Sequence, residues 1–161
     1  MVSISLCMIV KNEEDVLARC LDSAAELVDE IVIVDTGSTD RTREIAARYT
    51  DKIFDFLWRD DFAAARNESF SHAAMDYCLW LDADDVLLEE DQEKFRALKE
   101  ELDPGVSVVM APYHTGFDGS GRVTFSYYRK RLIKNRAGMS WVGAVHEVVP
   151  SVGTVLYGDF A

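Results

Sequence analysis

A chain of 161 residues is long enough to bury a sizeable core and short enough to be one domain. Hydrophobic residues at 48% and charged residues at 29% place it among ordinary globular proteins, and its apolar runs fall far short of the ~18 residues a membrane span needs. A formal charge of −12 argues against nucleic acid as a partner, which calls for a basic footprint.

The negative charge is concentrated before residue 104, and the remainder is weakly basic. An acidic site that holds a phosphate-rich substrate needs a cation between the two. Cys7, Cys20 and Cys78 form no CxxC pair and are odd in number, so the expectation is no disulfide framework and a reduced, cytoplasmic location. No basic segment followed by an apolar stretch opens the chain, so no signal peptide is expected.

Ser5 to Val10 reads as a buried strand. Asn12-Glu13-Glu14 then opens a helix, with Val16, Leu17, Cys20, Leu21 and Ala24 on one face. Glu30 to Val34 is β-branched and apolar on both faces, as in a parallel sheet covered by helices. Asp35 to Asp40 is dense in turn and cap residues, and a short helix follows with Ile45, Ala46 and Tyr49 inward. Lys52 to Leu57 alternates like a strand, residues 61–75 read as a helix, and Tyr77 to Leu81 is a further apolar strand. Glu90 to Leu102 is a charged surface helix stopped by Asp103-Pro104-Gly105. Val106 to Tyr113 and Arg122 to Ile133 form a hairpin about the turn at residues 116–121. The fold expected is α/β: a Rossmann-like, doubly wound, mainly parallel sheet with an added C-terminal β-hairpin. The chain reads as a single domain over 1–161, and Phe160-Ala161 shows no terminating element, as a fragment would.

Ligands of an open parallel sheet bind beyond the carboxyl ends of its strands. Lys11-Asn12-Glu13, Asp35, and Asp82, Asp84 and Asp85 occupy such ends, with Arg66 on the helix before the last of these strands. Three carboxylates in Asp82-Ala83-Asp84-Asp85 repel one another unless a cation or hydrogen-bond donors compensate. Mg2+ is held by one or two carboxylates plus substrate phosphates, which suits this loop; the alternative is an acidic turn capping the next helix. Asp35 serves equally as a turn former, Glu13 as a first-turn carboxylate and Arg66 as a snorkelling side chain. Arg129, Lys130, Arg131, Lys134 and Arg136 read either as a solvated edge-strand face or as a patch for a phosphorylated acceptor.

Residues 5–14 (SLCMIVKNEE), Ile33 to Asp40, Ala65-Arg66-Asn67 and Trp80 to Asp85 resemble family 2 glycosyltransferases in order and spacing. Arg131-Leu132 and Trp141 to Glu147 resemble the subgroup that often precedes tetratricopeptide repeats, which implies a C-terminal repeat domain in a longer parent chain. The resemblance implies a GT-A fold, a nucleoside-diphosphate sugar donor, and Mg2+ or Mn2+. By position it puts Val10, Glu13 and Asp35 at the nucleoside, Arg66 at the donor site, Asp82 near the ribose or sugar, and Asp84 on the metal. Thr36 stands where the family commonly has a second acid.

An inverting transferase needs a base for the acceptor proton and charge neutralisation at the leaving diphosphate. Glu147 is the expected base, with Asp85 next in line, and His146 an expected metal or phosphate ligand; the alternatives are a surface strand residue for Glu147 and a satisfied structural histidine for His146. The acceptor is left open among glycan, lipid-linked and protein hydroxyls. A nucleotidyltransferase is the alternative enzyme, although Lys11-Asn12-Glu13 supplies no glycine-rich phosphate loop, and an inactive sugar-nucleotide-binding module is the alternative outside catalysis.

Overall fold

The computed structural model describes all residues 1–161. Ile4–Val10 forms β1, Glu30–Asp35 β2, Ile53–Asp55 β3 and Tyr77–Trp80 β4, all parallel. The crossovers carry α1 (Leu17–Ala24), α2 (Thr42–Ala46) and α3 (Phe62–Ser71), while α4 (Glu89–Glu101) follows β4. Alternation along β1 sends Leu6 and Met8 to one face, where Leu17, Leu21, Ile45 and Phe95 complete the main core. Cys7 faces the other way, against Val32, Ala73 and Cys78 beside α3. The strands are β-branched and buried on both faces because helices cover both.

β5 (Val106–Phe117) and β6 (Val123–Lys134) make the expected hairpin, and β6 inserts antiparallel beside β4, with Tyr77 opposite Lys134 and Leu79 opposite Leu132. Gly116 permits the close approach within the hairpin, since a Cβ there would lie 2.8 Å from that of Phe125. A further strand, β7 (Thr154–Tyr157), runs parallel to β5 and closes the sheet order β3-β2-β1-β4-β6-β5-β7. Two expectations are corrected here. β6 is interior, so its basic run is not an edge-strand face. The last residues do contain an element, and Phe160 beyond it packs edge-on against Phe95 at 5.0 Å.

The first helix also begins later than Asn12. Asn12 is left-handed at φ 53, and its side chain is committed to the loop after β2, so regular helix starts at Leu17. α3 likewise ends at Ser71, because the chain then turns to offer the Ala74 N–H to Glu30 at 2.8 Å.

In register, Val10 lies opposite Asp35 and Cys7 opposite Trp80, so the carboxyl ends of β1, β2 and β4 share one edge. The outer halves of β5 and β6 rise past that edge as a two-stranded wall, exposed from Val123 to Tyr128. No helix is long and apolar enough to cross a membrane.

Candidate functional site

The loops after β1 and β2 are laced together by short polar side chains. Asn12 Oδ1 accepts from the Thr39 N–H at 2.8 Å, and Thr42 Oγ1 accepts from the Glu13 N–H at 2.7 Å. Asp40 accepts from Glu14 and Thr42 N–H groups. Asp35, only 2% exposed, splits its carboxylate between two fates. Oδ1 accepts from the Gly37 and Ser38 N–H groups at 2.8 and 2.7 Å, which is the turn-former role. Oδ2 is buried and has no partner. A buried acceptor without a donor is costly.

Arg66 is the hub of the site. It lies on α3 whose start is capped by Asp61, and it is 6% exposed. Its Nη2 donates to Asp82 at 2.9 Å and its Nε to Glu147 at 2.6 Å. Its guanidinium lies over the rings of Trp80 at 4.5 Å and Trp141 at 5.1 Å. Burial works against the Asp82 charge, but Arg66, Arg131 and Arg129 outweigh it and hold this carboxyl below its ordinary range. The aromatic walls and the paired charges were missed in sequence, where Trp80 entered as part of an apolar strand and Trp141 only within a motif of the family resemblance.

The acidic loop is sorted into separate roles. Asp85 is buried, accepts from the Asp82 N–H at 2.9 Å and pairs with the equally buried Arg131 at 3.0 Å. Arg131 also donates to the Trp80 carbonyl at 3.2 Å. Burial and Asp85 push the Tyr113 hydroxyl up to about 12. Asp85 is therefore held by structural partners. Asp84 lies exposed at the rim, and Glu13 is raised above its ordinary value by burial and by the charges of Asp84, Asp40 and Asp82.

Residues 141–149 form a strap across the far side. Val142 and Val148 bridge each other, and Gly143 and His146 are left-handed at φ 98 and 56. The strap brings Glu147 to Arg66, a meeting of side chains 81 residues apart. His146 is exposed on it.

Two clefts adjoin here. One, of about 460 Å3, is bordered by Val10, Glu13, Thr36, Asp82 and Asp84. The second, of about 620 Å3, is bordered by Tyr128, Lys130, Trp141, His146 and Glu147. Phe62, Arg66 and Asp82 border both. Val10, Glu13, Arg66, Asp82 and Asp84 thus gather at one opening, His146 and Glu147 stand at the other, and Asp35 borders neither, although its neighbours Val10 in register and Thr36 in sequence border the first. No three His, Cys, Asp or Glu side chains converge as a ready cation site. The residues present fit a cation of the kind that takes a carboxylate and completes its shell from a diphosphate: Asp84 is available, and the repulsion acting on Glu13 is what such a charge relieves.

The basic run does not converge. Arg129 turns to Asp82 at 3.4 Å, Arg131 is buried against Asp85, and Lys130 is tied to the Val149 carbonyl. Lys134 and Arg136 border a separate cleft with Tyr77 and Pro104, at the opposite sheet edge. The five residues do not form one patch, although Arg129 and Lys130 both border the second cleft.

The sequence profile described as Glycosyl transferase family 2 matches residues 5–147, and the chain belongs to that family. It is 38% identical over 149 residues to a TPR repeat-containing protein of Synechococcus elongatus, covering 92% of this chain and 36% of that one. It is 28% identical over 148 residues to the SPbeta prophage-derived glycosyltransferase SunS of Bacillus subtilis, covering 90% and 34%. The chain thus spans about a third of the length of these relatives. The fold is that of GT-A glycosyltransferases. TarS of S. aureus, solved as residues 1–349 in complex with UDP, superposes with a TM-score of 0.58 at 24% identity over 74% of this chain and 38% of that one. Glucosyl-3-phosphoglycerate synthase from Mycobacterium tuberculosis, solved with Mn2+ and UDP-glucose, gives 0.57 at 21% over 71% and 44%.

Proposed function

We propose that this chain carries the donor site and transfer chemistry of an inverting, metal-dependent glycosyltransferase, moving a sugar from a nucleoside-diphosphate sugar to an acceptor hydroxyl. The observation that carries the reading is the meeting of two clefts at one buried guanidinium flanked by Asp82 and Glu147. The first cleft takes the donor. Asp35, one residue before Thr36 of the cleft lining, is the acceptor for the nucleobase or ribose, with Val10 and Glu13 bordering the cleft. Arg66, whose Nε and Nη2 are engaged by Glu147 and Asp82, meets the diphosphate through its remaining N–H groups, and Asp82 steers the sugar. Mg2+ or Mn2+ would be held by Asp84, with His146 the second candidate ligand, and when bound supplies charge neutralisation for the leaving diphosphate.

The second cleft takes the acceptor. One oxygen of Glu147 is engaged by Arg66, and the other removes the hydroxyl proton. The acceptor oxygen forms its bond to the anomeric carbon as the bond to the diphosphate breaks, and that electron pair leaves with the diphosphate. A general base is worth roughly 10²–10⁴ in rate. The UDP complexes of TarS and the Mn2+ complex of the mycobacterial synthase make UDP and Mn2+ the first probes. Three free, buried cysteines suit a cytoplasmic location, and the Synechococcus relative supports a repeat domain in the parent chain.

Calorimetry with UDP and UDP-sugars, with and without Mn2+, tests the reading. Mn2+ should strengthen binding to the wild type and do nothing for Asp84→Ala, whose thermal melt stays unchanged. Absence of nucleotide binding, or equal Mn2+ dependence in the variant, would overturn it.

A further inference from the structure

We propose that Asn67 is a positioning residue that holds Glu147 in its working place, acting through the strap and without touching substrate. The claim rests on the reading of Glu147 as the base. Asn67 follows Arg66 on α3 and borders neither cleft. Its Nδ2 donates to the Trp141 carbonyl at 2.9 Å, and its Oδ1 accepts from the Trp141 N–H at 2.8 Å. An amide is the side chain that can satisfy both backbone groups of one residue at once.

The strap needs such an anchor. It lies outside the sheet, has two left-handed residues, and is held to itself by the Val142–Val148 bridge. Its other polar ties to the body are the Phe62 N–H on the Ala144 carbonyl at 3.0 Å, Lys130 on the Val149 carbonyl, and the Arg66–Glu147 pair itself, while Trp141 and Val149 pack against Ala63, Trp80 and Ile133. The Asn67 clamp fixes the residue where the strap begins, six positions before Glu147, and seats the Trp141 ring against Trp80 at 5.1 Å. Arg66 and Asn67, adjacent on one helix, therefore grip the two ends of the same segment. Loss of the clamp loosens the Trp141 end of the segment, while Arg66 keeps Asp82 and the Trp80 ring as supports independent of the strap.

Two measurements test this, on wild type, Asn67→Ala, Asn67→Asp, Glu147→Gln and the Asn67→Ala/Glu147→Gln double variant. The first is nitrogen-15 NMR of the Arg66 Nε–H, which the Glu147 carboxylate holds downfield and protects from exchange. In Asn67→Ala this signal should move toward its position in Glu147→Gln, and an unmoved signal would overturn the proposal whether or not the protein turns over. The second is slow hydrolysis of a UDP-sugar that the wild type binds. Misplacing a reacting group by an ångström costs on the order of 10²-fold, so Asn67→Ala should lose about that factor while UDP affinity stays within about twofold. Asn67→Asp keeps the acceptor for the Trp141 N–H and should recover part of the rate; it also carries the test if the alanine variant fails to fold. Added to Glu147→Gln, Asn67→Ala should cost nothing more. An equal loss in both backgrounds would overturn the proposal. Wild-type hydrolysis in Glu147→Gln alone would instead remove the base reading, leaving the positioning claim to the spectrum.

Discussion

Asp35 has a structural account for one carboxylate oxygen, and the proposed function gives the other an account to be tested. Oδ1 builds the turn through Gly37 and Ser38, and Oδ2 is buried with nothing to accept. Asp35→Asn separates the two, because the amide oxygen can keep the turn while an N–H replaces the orphan acceptor. We expect the thermal melt of Asp35→Asn to stay near wild type and UDP affinity to fall by the worth of a hydrogen bond to a charged group, about 1.5–3 kcal/mol. Equal affinity by calorimetry would reduce Asp35 to a turn residue. Asp85 is the opposite case, since its carboxylate is taken up by the Asp82 N–H and Arg131.

At the scale of elements, the loop after β4 is kept in shape by β6. The Arg131–Asp85 pair is buried on both sides, and stranding one member of such a pair costs about 3–5 kcal/mol. Arg131→Met should lose about that much in a denaturant melt, and adding Asp85→Asn should recover part of it by removing the stranded charge. A melt that the second substitution worsens would mean that Asp85 is held chiefly by its other partners. The parallel strands, their order along the chain and the hairpin were legible, because buried β-branched runs and turn clusters are local signals. The late start of α1 was hidden: Asn12 and Glu13 look like a helix opening, and only the loop after β2, which they clasp, shows otherwise. β7 was hidden too, since a short strand depends on the partner it finds. In the site, Arg66 and Asp82 were legible as candidates, but their convergence with Glu147 across 81 residues required the strap.

For the molecule as a whole, the edge opposite the site ties three strands together through one buried carboxylate. Glu30, at the start of β2, has its side chain 3% exposed and bonds to Ser5 on β1, to Lys52 before β3 and to the Ala74 N–H before β4. Burial raises its pKa, but the Ala74 N–H, Lys52 and Ser5 together bring it below the ordinary value. A depressed carboxyl contributes stability that is present above its unfolded pKa of about 4.3 and disappears as pH falls through the lower folded value. Wild type should therefore be more stable than Glu30→Gln at pH 6, and the gap should close in that acid window. A gap in melting temperature that is the same at pH 6 and pH 3 would show that the charge of Glu30 adds nothing.

The guanidinium of Arg66 stands in the partition between two rooms and forms part of the wall of each. Redesign of this protein inherits that shared wall. If the first cleft takes the donor and the second the acceptor, as proposed, a library that varies only one side will shift the other with it, because any change felt by Arg66 reaches Glu147 through one 2.6 Å contact. New donor and new acceptor preferences are then to be sought jointly, by varying Phe62, Arg66 and Asp82 together with the strap. Variants selected for one partner alone should carry a measurable change toward the other.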